Sequence, residues 1–576
     1  MTVPMHDFKA LRKLAKAGAS EGAPKFKLAL LGDSATQFLA QAIRGVGIAH
    51  GLDIDVWEAD FDQVERQLLD STSEYHGLRA DVTVIFKATH KLLHGFNKLP
   101  PPARKTFAKS TIAEVERLAA AAKSGGGRVI VCNFPEEDDA VFGQFSAKTP
   151  ESFIHQIRQL NVLLQDLAVR DAGIFVCDLA GIQNTIGRVR FWDAAIYTNT
   201  EMVLSLDALP LAAEAIVKIA DALRGSFKKC VICDLDNTLW GGVIGDDGIE
   251  NIQVGQLGIG KAFSALQHWV KKLRERGIIV CVCSKNTDTV AREPFEKHPD
   301  MVLRMSDIAV FVANWENKAD NIRKIQRILN IGFDSMVFLD DNPFERNLVR
   351  KELPAVTVPE MPEDPALWLD FLSAENLFET ASHSEADAAR TEQYQIEAAR
   401  VTLQESFTNE DDYLRSLEMV SEVKPFDSFS SPRVAQLSQR SNQFNLRTVR
   451  YTEDDIKRIM TSPSYVTRSF TLRDRFGDNG LICAIIGEKR EKVLFIDTWF
   501  MSCRVLKRGM EAFTLNTIVE LARENGCSSV VGEYLPTAKN AMVRDHYSQL
   551  GFAPSDGLWL LDVSAYTPMQ TRIERA

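Results

Sequence analysis

At 576 residues the chain is too long for one hydrophobic core, so about three domains of roughly 150–200 residues are expected. It is 45% hydrophobic and 25% charged with a net charge of −11, an ordinary globular balance whose acidity excludes a nucleic-acid binder built on a basic face. Nine cysteines in this length make no disulfide framework, and no apolar run reaches the roughly 18 residues of a membrane span, so a soluble, cytoplasmic protein is expected.

Residues 1–24 are basic and faintly amphipathic, lack the apolar stretch of a signal peptide, and predict a short lead helix. From 25 to 225, the runs FKLALLGD, DIDVWEAD, DVTVIFKAT, GRVIVCNFP and GIFVCDLA alternate with helical patterns such as TIAEVERLAAAAKS. That alternation predicts a parallel sheet covered by helices. A second α/β set spans 226–380, with KKCVICDLD, GIIVCVCSKN and DSMVFLDDN as its clearest strands. Residues 381–417 are polar and helix-prone, which suits a connecting helix. Beyond 418, GLICAIIGEK and KVLFIDTWF read as strands and GMEAFTLNTIVELAREN as a helix.

The chemistry concentrates at strand tips, where α/β folds place ligands. The run ending at Cys233 delivers Asp234 and Asp236. Residues i and i+2 of a regular strand share a face, so the two carboxylates can approach one reacting centre. Ser284 stands at a second tip, Lys318 near a helix start, and Asp340 with Asp341 at a third tip. An ammonium and a hydroxyl can hold phosphoryl oxygens, and the acids can hold a divalent cation. Asn286 and Asn342 lie beside these tips, where turn capping accounts for them.

Motif by motif, CDLDNTLW, SKN, Lys318 and LDDN resemble the haloacid dehalogenase superfamily. The resemblance implies a Rossmann-like domain in which Asp234 is the nucleophile and Asp236 the acid/base. It implies Ser284 and Lys318 on the phosphoryl group, and Mg²⁺ on Asp234, the Asp236 carbonyl and Asp340, with Asp341 nearby. Short intervals between the motifs imply a capless, open site.

A narrower likeness covers roughly residues 228–552: DNTLWGGVIGDDG, VCSKNTDTVARE, NWENKADNI, FLDDNPFERNLVR, QLSQRSNQFNLRT, FGDNGLICAII and MSCRVLKRG together resemble the FkbH-like family. That resemblance implies an enzyme that dephosphorylates a phosphorylated C3 acid or acyl phosphate and loads the acyl group on an acyl carrier protein. The alternative is a phosphatase of a small or sugar phosphate flanked by binding scaffolds. Asp334-Ser335-Met336 leads into a strand rather than a carrier helix, so the carrier is expected to be a separate protein. Cys283 and Cys503 are candidate relay thiols; Cys233 also lies beside the site, and strand packing accounts for each.

The flanks carry two more resemblances. LALLGDSATQFL places Ser34 as in the first block of SGNH-type esterases, with Asn133 of VCNFP as an oxyanion-asparagine candidate. The Asp-x-x-His pair implied by that family is broken: Asp193 is followed by Ile196 three residues on. An SGNH-like (flavodoxin-like) three-layer fold with lost or altered activity is implied, and a helix N-cap role suffices for Ser34. The C-terminal part resembles the GNAT acetyltransferases, an α+β fold. Arg504, Arg508 and Gly509 stand where a pantetheine or coenzyme A loop is implied, although Lys507 replaces its first glycine.

Overall fold

The computed structural model describes residues 7–124, 127–383, 390–404, 407–441, 443–502, 505–537 and 539–576. The chain divides into two units, one ending at Ala222 and one beginning at Leu223.

In the first unit the five apolar runs become parallel strands: β1 (Lys25–Gly32), β2 (Asp53–Glu58), β3 (Val82–Phe86), β4 (Arg128–Cys132) and β5 (Ile174–Cys177). Their order is β2-β1-β3-β4-β5, the flavodoxin-like arrangement. Leu28, Ala29, Leu30 and Leu31 of β1 are all fully buried, as a strand with helices on both faces requires. The lead is not a separate tail. Its helix Phe8–Ala17 buries Phe8 and Leu11 against the helix Gln37–Ala49. The approach is close enough that a Cβ on Gly45 would meet the Leu11 carbonyl oxygen at 2.3 Å, so a glycine is needed there.

The second unit opens with four parallel strands, β6 (Cys230–Cys233), β7 (Ile279–Ser284), β8 (Val310–Ala313) and β9 (Met336–Leu339), in the order β8-β7-β6-β9. Their side chains alternate strictly between two cores. Val231, Cys233, Val280, Val282, Val337 and Leu339 enter one, and Cys230, Ile232, Ile279, Cys281, Met336 and Phe338 enter the other. Between β6 and β7 lie the helices Ile244–Asp247 and Gly260–Glu275; between β7 and Lys318 lie the helix Asp288–Lys297 and β8. These are core elements, so no cap domain covers the strand tips among the described residues.

The same unit ends in a mixed, largely antiparallel sheet. Its strands are β10 (Met419–Ser421), β11 (Val423–Lys424), β12 (Tyr465–Asp474), β13 (Gly477–Arg490), β14 (Val493–Met501), β15 (Ser529–Gly532), β16 (Ala553–Ser555), β17 (Leu558–Asp562) and β18 (Ile573–Arg575). The main path runs β16-β17-β15-β14-β13-β12-β10-β18, with β11 paired to β12. β14 and β15 are parallel, joined by the buried helix Met510–Glu524. The helix Arg390–Gln404 ties the two parts of this unit together. Tyr394 is buried in the core beside β7, Gln395 donates to the Ile308 carbonyl at 2.8 Å, and Arg400 reaches Asp474 of β12. No helix among the described residues is long and apolar enough to cross a membrane.

Candidate active site

Sheet register assembles the middle site. Cys233 of β6 pairs with Leu339 of β9, so Asp234 and Asp340 are each one residue past the same rung. The Asp234 N–H donates to the Leu339 carbonyl at 2.9 Å, which locks that level. On the other side Cys233 pairs with Val282, which brings the strand's last residue, Ser284, two residues beyond the rung. Lys318 arrives from the next layer as the first residue of the helix Lys318–Leu329, behind the cap Asn317. A lysine in that position opposes the helix dipole. Its ammonium is instead held 2.7 Å from Asp234 and 2.5 Å from Asp340.

Asp234, Asp340 and Asp341 each offer a carboxylate oxygen within 4.8 Å of the others. Burial and the charge of Asp234 push Asp340 up to about 7, and the same two causes raise Asp341. Burial works to lower the Lys318 pKa, but the Asp234 and Asp340 carboxylates outweigh it and hold the ammonium charged. Three acids against one ammonium leave excess negative charge, and Asp234 Oδ1 is buried with no hydrogen-bond partner. An orphaned carboxylate oxygen inside an over-acidic cluster fits a hard divalent cation.

Asp236 behaves differently. The regular strand stops at Cys233, so the shared-face argument for Asp234 and Asp236 does not hold. A left-handed turn at Asn237 (φ 54°) follows, and the Asp236 carboxylate stands outside the acidic triad. It accepts hydrogen bonds from the Trp240 indole, the Ile244 amide and the Asn286 side chain, each at 3.0 Å. Burial raises its pKa. Asn286 and Asn342 are expected as turn caps. Asn342 does cap, accepting from the Phe344 amide at 2.9 Å, whereas Asn286 also reaches Asp236. Two further supports lie outside the expected set. Thr238 Oγ1 lies 3.1 Å from Asp341, and the buried Arg346 donates to the carbonyls of Asp340 and Asp341. Thr238 sits two residues from Asp236 in the same motif, a visible signal; Arg346 lies in the quoted FLDDNPFERNLVR, but nothing local shows that it folds back on these carbonyls.

The thiol candidates fare poorly. Cys283 and Cys233 are fully buried, and burial pushes both thiols up, the opposite of what an acyl relay needs. Cys283 faces the Lys318 carbonyl at 3.7 Å, on the side away from Ser284. Cys503 and Arg504 lie outside the described residues.

In the first unit Ser34 is buried but is not a helix cap. The helix begins later, with Thr36 in the cap position, and Ser34 Oγ has no partner. Asn133 donates to Asp178 at 2.6 Å and accepts from the Ala180 amide at 2.9 Å, which makes it part of the start of the helix Leu179–Ile186. Asp193 caps the helix Ala194–Thr200. A histidine does reach that segment, from the start of the helix Thr89–Asn97: His90 packs 4.3 Å from Trp192 and 4.6 Å from Tyr197, with Nε2 3.5 Å from Glu137.

The coenzyme A loop reading also needs correction. Arg508 is buried between Glu397, at 2.5 Å, and Asp474, at 3.4 Å, so its guanidinium is spent on the protein's own acids. Gly509 takes φ 82° ahead of the helix Met510–Glu524. The edge of β14 beyond its pairing with β15 is covered by the chain itself. Met501 donates to Phe444 at 3.1 Å, and Leu535 donates to Leu446 at 2.9 Å.

Comparison with known proteins agrees with this layout. A family model described as FkbH, N-terminal domain, matches residues 27–221. A crystal structure of the N-terminal part of the protein BF1531 from Bacteroides fragilis, containing a phosphatase domain complexed with Mg, is 54% identical. It covers 66% of this chain and 100% of that one, at a TM-score of 0.63. The ribosomal-protein-S18-alanine N-acetyltransferase of Escherichia coli (15% identity, 26% of this chain, 97% of that one, TM-score 0.20) and Ard1 of Thermoplasma volcanium (17%, 25%, 97%, 0.20) also match, at scores that add nothing to what the sheet itself shows. No protein of curated function matches. The middle domain is of the haloacid-dehalogenase phosphatase type, and the chain belongs to the FkbH-like family of that superfamily.

Proposed function

We propose that the protein is an Mg²⁺-dependent phosphatase that acts on a phosphorylated C3 acid or acyl phosphate, such as 1,3-bisphosphoglycerate, and loads the acyl group on a separate acyl carrier protein. The observation that carries the phosphatase part is the open cluster of Asp234, Lys318, Asp340 and Asp341 at the strand tips. Asp234 attacks the phosphorus of the ester phosphate, the C3 phosphate in 1,3-bisphosphoglycerate, as its bond to the leaving alkyl oxygen breaks, giving an aspartyl-phosphate and leaving the C1 acyl phosphate intact. Asp236 gives a proton to the leaving oxygen and then takes one from the water that opens the aspartyl-phosphate. Lys318 and Ser284 hold the phosphoryl oxygens. Asp234, Asp340 and Asp341, with the Asp236 carbonyl, would hold Mg²⁺, which supplies positive charge against the phosphoryl group when bound. The relative from Bacteroides fragilis carries Mg on the same type of domain, which supports that metal. The capless site supports a carrier-borne acceptor, because a long arm can reach it. Cys283 and Cys233 are buried as unreactive thiols and do not serve as the relay; we take the carrier's own thiol as the acceptor, which attacks the C1 acyl carbon as its bond to phosphate breaks and the thioester forms.

The test combines the protein, Mg²⁺, 1,3-bisphosphoglycerate and a phosphopantetheinylated carrier, and reads phosphate release together with the intact mass of both proteins. A glyceryl adduct on the carrier that requires Asp234 is the expected result. Phosphate release with no adduct on either protein would leave a plain phosphatase of small or sugar phosphates.

A further inference from the structure

Asp234 and Asp340 are fixed by the Lys318 ammonium, but among the described residues Asp236 has no cation within ion-pair distance. Three neutral donors hold it instead. The Trp240 indole and the Ile244 amide share Oδ1, and the Asn286 amide takes Oδ2. Two of these donors lie in the same loop as Asp236. Only Asn286 comes from the neighbouring strand, two residues past Ser284. It therefore sets the position of Asp236 relative to the phosphoryl-binding side of the site.

The Asn286 amide has only one workable orientation. Its Oδ1 accepts the Thr287 N–H at 2.9 Å, which leaves Nδ2 facing Asp236. Flipping the group would set oxygen against oxygen on one side and N–H against N–H on the other. The side chain is 5% exposed, so water does not replace either bond easily. This is more than a turn cap requires, since capping Thr287 uses the oxygen alone.

We infer that Asn286, assisted by Trp240, is a positioning residue that holds the Asp236 carboxylate in place for both proton transfers of the reaction. The inference rests on the proposed aspartyl-phosphate chemistry and predicts which steps depend on Asn286. Transfer of the phosphoryl group from p-nitrophenyl phosphate to Asp234 needs no proton, because nitrophenolate leaves as an anion. Opening of the aspartyl-phosphate requires a proton taken from the attacking water, and departure of an alkyl oxygen requires a proton given to it.

The experiment is rapid-mixing kinetics of the full chain with Mg²⁺ and p-nitrophenyl phosphate, beside steady-state turnover of glycerol phosphate. For Asn286→Ala the nitrophenolate burst should keep its rate within about 3-fold, while steady-state turnover of both substrates falls about 10–100-fold. Asn286→Asp keeps the shape and replaces the donor with an acceptor, and it should lose at least as much. Trp240→Phe removes one donor of three and should fall between these variants and the wild type. Wild-type turnover in Asn286→Asp would show that the residue only fills space and would overturn the inference. So would a burst that falls in proportion to the steady state. A wild-type burst that survives Asp234→Asn would instead sink the nucleophile assignment, and the inference with it.

Discussion

The second unit contains two buried ionic clusters that resemble each other in composition and differ in charge balance. In the middle domain Asp234, Asp340 and Asp341 face the single ammonium of Lys318. Between the connecting helix and the C-terminal sheet, Arg400 and Arg508 face Glu397 and Asp474, two cations on two anions, with each arginine bridging both acids. The second set is closed: its charges satisfy one another, and it fastens the helix Arg390–Gln404 to β12. The first is open. Burial and the charge of Asp234 raise Asp340 to about 7, and Asp234 Oδ1 is left without a partner. Uncompensated charge at a strand tip opposes stability and is explained by a ligand; compensated charge between elements explains itself.

Single substitutions should separate the two clusters sharply. Asp234→Asn should cut phosphate release by at least about 10⁴-fold, since the reaction loses its nucleophile. The same variant should melt no lower than the wild type in the absence of divalent metal, because it removes one of three crowded carboxylates. Asp474→Asn should do the reverse. It leaves two buried arginines, Arg400 and Arg508, on the single carboxylate of Glu397 and should cost about 3–5 kcal/mol in urea unfolding, with turnover per folded molecule unchanged. A loss of turnover in Asp474→Asn, under conditions where it is fully folded, would erase the distinction between a working cluster and a fastening one.

Metal should sharpen the same contrast. Mg²⁺ at about 100 times its dissociation constant should stabilise the protein by about 2.7 kcal/mol, seen as a higher melting temperature. Asp340→Asn should abolish that gain, and Asp474→Asn should keep it in full. A gain that survives Asp340→Asn would place the metal elsewhere.

The sequence made the open cluster legible and the closed one misleading, for a physical reason. Strand tips in a parallel sheet are read from apolar runs, and their register brings Asp234, Ser284 and Asp340 together without any side-chain detail. Lys318 at a helix start even violates the local dipole rule, a sign of function. Arg508 ahead of a glycine and a helix looks like an anion loop in one dimension. Its true partner, Glu397, lies 111 residues away, a separation that no local pattern reports. Ser34 was misread for a smaller reason, since the helix starts at Gln37 rather than directly after it. His90 leaves no mark beside Asp193 in the sequence, because it arrives there from the helix Thr89–Asn97. The end of β6 at Cys233 turned Asp236 away from the triad, and periodicity alone cannot place the end of a strand to one residue.

The smallest effect should be the most discriminating. Removing one member of a buried pair is costly because its partner is left charged and unpaired, whereas removing both can be nearly neutral. In the closed cluster, Arg400→Met combined with Asp474→Asn leaves Arg508 and Glu397 as a balanced pair at 2.5 Å. The asparagine oxygen can still accept the Phe476 amide that Asp474 Oδ1 holds at 2.9 Å. The double variant should therefore lose about 1 kcal/mol, well under either single change, and keep full turnover. The matching neutral exchange in the open cluster, Lys318→Met with Asp340→Asn, should likewise fold with little loss, yet release no phosphate and gain nothing from Mg²⁺. Urea unfolding of the four single and two double variants reads both cycles. Equal recovery of stability with opposite outcomes for turnover is what separates a charge set kept for the fold from one kept for chemistry; a C-terminal double variant as unstable as its worse single parent would mean that Arg508 and Glu397 cannot stand alone and that the cluster acts as one indivisible unit.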